Sequence, residues 1–81
     1  MKLQIIVTLK KDVLDPQGSA IKNSLSTMGF KNIESLRQGK IFEIIVKEKD
    51  EKVAISKAKD MCEKLLANST IEDYSVKAIK E

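Results

Sequence analysis

The sequence predicts an α+β domain of two layers, a four-stranded antiparallel sheet with two helices on one face, in the order β-α-β-β-α-β. Three observations carry this. Both ends of the chain alternate apolar and polar residues, the period of a half-buried strand. Two inner segments repeat apolar residues at spacings of three and four, the period of a helix face. A short Gln38-Gly39 connection between two apolar runs reads as an antiparallel hairpin.

The first strand places Leu3, Ile5, Val7 and Leu9 on one parity and Lys2, Gln4, Thr8 and Lys10 on the other, with Ile6 the exception. Asp15-Pro16 then starts a helix, since a carboxylate caps free backbone amides and proline suits the first helical position. Ile21, Leu25 and Met28 form one face of that helix, and Gly29 is placed for a left-handed terminator with Phe30 folding back as its apolar contact. Residues 33–37 and 41–47 are the two hairpin strands. Asp50 is the expected cap of a second helix, in which Ala54, Ala58, Met61, Cys62 and Leu65 make an apolar stripe ending near Asn68, a residue that tolerates left-handed geometry. Residues 71–79 form the last strand, with Tyr74, Val76 and Ala78 on one parity. The order is that of ferredoxin-like folds.

Composition narrows the function. The chain has 81 residues, enough for one domain. Histidine and tryptophan are absent and Cys62 is the one cysteine, which excludes an intrachain disulfide, a Cys/His zinc cage and a Ser/His or Cys/His nucleophile pair. Fifteen basic against 12 acidic residues give a net charge of +3, and Arg37 is the single arginine, so nucleic acid is not the expected partner. The amino terminus is neither signal peptide nor membrane span, so the expectation is a cytoplasmic protein with no membrane contact.

A two-residue hairpin places Leu36 opposite Ile41, with Ile45 on the same parity. If Phe42, Ile44 and Val46 face the helices, then Ile6, Leu36, Ile41 and Ile45 share the uncovered face of the sheet. A contiguous apolar group there marks an interface, and self-association into a homodimer or tetramer is expected.

Two segments are more specific than periodicity requires: Leu9-Lys10-Lys11-Asp12-Val13-Leu14-Asp15-Pro16-Gln17-Gly18, and Cys62-Glu63-Lys64-Leu65-Leu66-Ala67-Asn68 followed after two residues by Ile71-Glu72-Asp73-Tyr74. With Arg37-Gln38-Gly39-Lys40, they resemble the PurS family, the small subunits of phosphoribosylformylglycinamidine synthase in bacteria and archaea. The resemblance covers essentially the whole chain. It implies a role in purine biosynthesis, where formylglycinamide ribonucleotide, glutamine and ATP become formylglycinamidine ribonucleotide, glutamate, ADP and phosphate. It implies two further partners, a glutaminase subunit that releases ammonia and a large synthase subunit that performs the ATP-dependent amidation. The complex would use ATP and magnesium, with no cofactor or metal bound by this chain alone and no catalytic residue within it.

The expected partner contacts are Asp15, Pro16, Gln17, Gly18, Arg37, Lys40, Glu72, Asp73 and Tyr74. Capping explains Asp15 and Pro16. Gln17 and Gly18 go beyond it, and a small residue in a first turn admits close approach by another backbone. Arg37 and Lys40, bracketing the hairpin, would suit an acidic or phosphate-bearing partner. Glu72 and Asp73 point to opposite faces of a strand, which disfavours a metal pair, and Tyr74 is the expected interface anchor. Cys62, on the apolar stripe, reads as a small buried hydrophobe. Two other functions share the topology. One is a small dimeric metabolite-binding regulatory module; the other is an RNA-binding domain, which lacks its stacking aromatics here.

Overall fold

The computed structural model describes residues 1–79. Three strands and two helices follow one another as β1 (Lys2–Leu9), α1 (Pro16–Thr27), β2 (Gly39–Ile45), α2 (Glu51–Met61) and β3 (Glu72–Ile79), with a π-helical turn, Cys62–Leu66, continuing α2. That turn closes with Ala67 N–H donating to the Cys62 carbonyl at 3.0 Å, a five-residue step that widens the last coil.

The sheet is antiparallel in the order β2-β1-β3. Ile5 of β1 lies between Phe42 and Val76, and Ile6 lies between Ile41 and Ser75. Alternation then sorts the rows. Leu3, Ile5 and Val7 are fully buried beneath Ala54, Ala58 and Cys62 of α2 and its π turn, with Phe42, Ile44, Val76 and Ala78 completing the layer. Small residues on α2 let its axis approach the sheet closely, while the branched side chains of β1 fill the space between.

Among the described residues the sheet has three strands, and the expected four-stranded sheet is corrected accordingly. Residues 30–38 belong to no strand, and no ladder joins residues 33–37 to β2 among the described residues. The cause lies at the expected turn. The Gln38 N–H donates to the Asp15 carboxylate and the Arg37 guanidinium is drawn onto the carbonyls of residues 10–13, so the connection runs against the base of α1. Leu36 consequently leaves the sheet, whereas Ile6, Ile41 and Ile45 do share its uncovered face. Arg37 and Lys40 do not stand side by side across a hairpin.

The placement of both helices over the sheet is also corrected. Only α2 packs there; α1 makes no substantial contact with the sheet or with α2. Its start and end are as the residues dictate. Asp15 caps the first turn through Gly18 N–H, and Pro16 occupies the first position. Gly29, at φ 105°, and Phe30 donate to the carbonyls of Ser26 and Leu25, a Schellman ending. Asn68 is not left-handed. Its side chain accepts the Thr70 N–H at 3.1 Å and turns the chain into β3.

Candidate functional site

Most of the expected contact residues converge where α1 and the segment before β2 leave the sheet. Asp15 is at the centre. Its Oδ1 accepts the Gly18 N–H at 2.9 Å and its Oδ2 accepts the Gln38 N–H at 3.0 Å. These amides, the Gly18 donor foremost and the Gln38 donor next, hold the carboxyl below its ordinary range, and the Arg37 guanidinium nearby adds to the effect. Gly18 owes its identity to this packing. A β-carbon there would lie 2.5 Å from Asp15 Oδ2 and 2.7 Å from the Leu36 carbonyl oxygen.

Arg37 closes the other side of the same junction. Its Nη2 donates to the carbonyls of Lys10 at 2.8 Å and Val13 at 3.0 Å, and its Nη1 to that of Lys11 at 3.3 Å. The planar fork spans a turn that no lysine could span in the same way. Gln17 and Gln38 join through their side-chain amides above it. Farther out, Lys22 Nζ donates to the Glu34 carbonyl at 2.7 Å and ties the extended segment to α1.

A cavity of about 330 Å³ opens beside this clamp, with Asp15, Gln17, Gln38, Lys40 and Glu72 on its walls. Lys40 and Glu72 face each other there at 3.7 Å, with Glu72 largely covered and also accepting the Asn68 N–H at 2.7 Å. The structure thus brings together Asp15, Gln17, Gly18, Arg37, Lys40 and Glu72. Pro16 sits exposed on the first turn of α1. Asp73 stands apart on the uncovered face of the sheet and pairs with Lys10 at 2.9 Å.

Tyr74 lies on the helix-facing side of the sheet, opposite Val7 and packed against the core. The Glu63 carboxylate beside it, followed by burial, pushes the phenol above its ordinary value. Burial likewise pushes the Cys62 thiol up, in keeping with a packing role. Gln38 and Lys22 are not among the partner contacts expected from sequence. The Gln38 bond to Asp15 uses a backbone amide, which any residue carries, and the Lys22 partner is a carbonyl, so neither of these bonds leaves a compositional signal.

Comparison with known proteins adds the family. The PurS model, described as phosphoribosylformylglycinamidine (FGAM) synthase, matches residues 2–80. The PurS subunit of phosphoribosylformylglycinamidine synthase of Bacillus subtilis is 44% identical over 73 residues, covering 90% of this chain and 86% of that one. The crystal structure of Methanocaldococcus jannaschii PurS, one of the subunits of formylglycinamide ribonucleotide amidotransferase in the purine biosynthetic pathway, superposes with a TM-score of 0.85 at 39% identity, over 94% of this chain and 92% of that one. The chain of the PurLQS structure from Thermotoga maritima that resembles this one does so with a TM-score of 0.85 at 32% identity, over 94% and 93% of the two. The chain belongs to the PurS family.

Proposed function

From that membership, we propose that this chain is the non-catalytic small subunit of phosphoribosylformylglycinamidine synthase, joining the glutaminase subunit to the large synthase subunit in the cytoplasm. The observation that carries the reading is its likeness, along nearly its whole length, to a chain in the PurLQS structure of Thermotoga maritima. The role is geometric. An intermediate released at one site reaches a second site at high local concentration when both are held in fixed relation, and this chain supplies that relation for ammonia. ATP and magnesium are assigned to the large synthase subunit.

The surface assigned to the larger subunits is the clamp and its cavity, with Gln17, Lys40 and Glu72 at the rim and Asp15, Gly18 and Arg37 holding it in shape. A rigid rim keeps the entropy loss on docking small. The uncovered face of the sheet, carrying Ile6, Ile41 and Ile45, is assigned to self-association.

The test is glutamine-dependent amidation by the purified large and glutaminase subunits, with and without this chain. Coupled synthesis is expected only when the chain is added. Coupling at full rate without it overturns the reading, and tight binding of a metabolite by the isolated chain would instead make it a regulatory module.

A further inference from the structure

Three basic side chains meet where the loop after β1 passes the segment before β2, and their charges are balanced unequally. Lys10 is paired with Asp73 at 2.9 Å. Arg37 has no such partner. It donates to the carbonyls of Lys10, Lys11 and Val13, which are neutral, and its Nε–H has no acceptor among the described residues. Asp15 is close enough to feel the guanidinium, but its two oxygens already accept the amides of Gly18 and Gln38. The Lys11 ammonium has neither an ion pair nor a hydrogen bond among the described residues.

Lys11 and Arg37 both border a cavity of about 370 Å³, whose other walls are Thr8, Leu9 and Ser35. No carboxylate stands on those walls. The two cavities that share residues with it differ in this respect: Asp12, Asp15 and Glu34 line one, and Asp15 and Glu72 line the other. Lys40, the second half of the expected basic pair, faces Glu72 and is compensated there. The hydroxyls of Thr8 and Ser35 make no hydrogen bond to the protein among the described residues and are free to donate. An anion is therefore directed to this cavity and not to its neighbours.

We propose that this cavity binds the phosphate group of a small molecule of the sugar-phosphate class. A tetrahedral oxyanion has acceptors for a guanidinium N–H, an ammonium and two hydroxyls at once, and charge-assisted bonds of this kind are stronger than neutral ones. The volume lies within the range of small-ligand sites and is more than a bare phosphate fills. Leu9 supplies an apolar wall for the carbon skeleton. A ligand held there touches the end of β1 through Thr8 and Lys11, and the arm made of α1 and residues 28–37 through Ser35 and Arg37. Because α1 makes no substantial contact with the sheet, the ligand adds a tie between arm and sheet beside the Asp15 clamp. The site faces solvent, which weakens ion pairing, and dissociation constants of about 1 mM are expected. It is separate from the cavity assigned to the larger subunits and does not rest on that assignment.

The experiment is a titration of the full, nitrogen-15-labelled chain with ribose 5-phosphate, inorganic phosphate and ribose at constant ionic strength, followed by its backbone amide resonances. Saturable shifts centred on Thr8, Leu9, Lys11, Ser35 and Arg37 are expected with both phosphates, tighter for ribose 5-phosphate, and none with ribose. Lys11→Gln keeps the backbone carbonyl that Arg37 uses and removes a charge that holds nothing in the fold. It is expected to weaken ribose 5-phosphate binding about tenfold. Proteolysis within residues 28–38 is expected to slow when ribose 5-phosphate is present, in the parent chain and not in Lys11→Gln. Shifts that fail to saturate, that follow every lysine alike, or that survive Lys11→Gln unchanged reduce the effect to general anion screening and overturn the site. Equal affinity for inorganic phosphate overturns the sugar-phosphate class. Binding at millimolar concentration is not the tight binding that would make the chain a regulatory module, and the coupling assay turns on addition of the chain alone, so the two readings fail separately.

Discussion

The Asp15 carboxylate accepts the backbone N–H of Gln38 at 3.0 Å, across 23 residues of chain, while its other oxygen caps α1 through Gly18. One side chain thereby ties the entrance of α1 to the entrance of β2. The arm between those points is fixed at its base and little held elsewhere.

Gly18→Ala tests how tightly that base is packed. In an open helix the change stabilises by up to about 1 kcal/mol. Here the new methyl group meets Asp15 Oδ2 at 2.5 Å and the Leu36 carbonyl at 2.7 Å, a clash with backbone that cannot swing aside. The expected result is a net loss of about 1–3 kcal/mol in urea denaturation. A gain in stability would show that the junction has slack.

The same carboxylate makes the fold sensitive to acid. Two amides and the Arg37 charge lower the Asp15 carboxyl from its ordinary 3.8 in the folded chain. Its contribution is therefore complete above the unfolded value and is lost as pH falls through the folded one. Glu48, held down first by the Asp50 N–H and then by Lys57, titrates in the same sense. Melting temperatures followed downward from pH 6 should fall less steeply in Asp15→Asn than in the parent chain, which starts higher. Parallel curves would remove Asp15 as a source of acid sensitivity.

Arg37→Lys separates charge from geometry. The guanidinium gathers carbonyls of Lys10, Lys11 and Val13, and an ammonium on a flexible stem cannot reproduce that fork. A loss of about 1–2 kcal/mol is expected, together with faster proteolysis within residues 28–38, which the clamp anchors. Unchanged cleavage would mean that the arm is held by something other than Arg37.

The alternation of Leu3, Ile5 and Val7 announced β1 because a single face of the strand is buried, and the caps at Asp15 and Asp50 announced both helices because capping is local chemistry. The hairpin that Gln38-Gly39 predicts does not form, for the opposite reason. Turn propensity weighs residues 36–41 alone, whereas the outcome was decided by Asp15 and by the carbonyls of residues 10–13, more than 20 positions away. The same long-range tie moved Leu36 off the sheet and left α1 outside the two-layer packing that element order implies. Within the candidate site, the motif residues Asp15, Gln17, Gly18 and Arg37 stood out by identity, and their mutual contacts did not. Residue type alone names Tyr74 as an interface anchor, and the structure packs it partly buried against the core, because strand parity does not reveal which face a helix covers.

The uncovered face and the core should respond oppositely to substitution. Ile5→Val removes one methylene beneath α2, where the site is fully buried, and a loss of about 1 kcal/mol is expected. Ile45→Ser, at a position 78% exposed on the far face, should change stability within about 0.5 kcal/mol while weakening self-association. Equal losses at both positions would contradict the one-sided burial of the sheet.

Tyr74 offers a spectroscopic reading of the packing at the end of α2. It is the only tyrosine of the chain, and tryptophan is absent, so phenolate absorbance reports this one group. The Glu63 carboxylate beside it and then its burial both favour the neutral phenol, raising the midpoint above the ordinary 10.0. The contribution to stability is whole below that unfolded value and is lost as pH rises through the folded midpoint. Glu63→Gln removes the negative charge and should move the midpoint back toward 10.0, with burial retaining part of the rise. A midpoint unmoved by Glu63→Gln would assign the whole shift to burial, and Tyr74 would then owe its place to core packing alone.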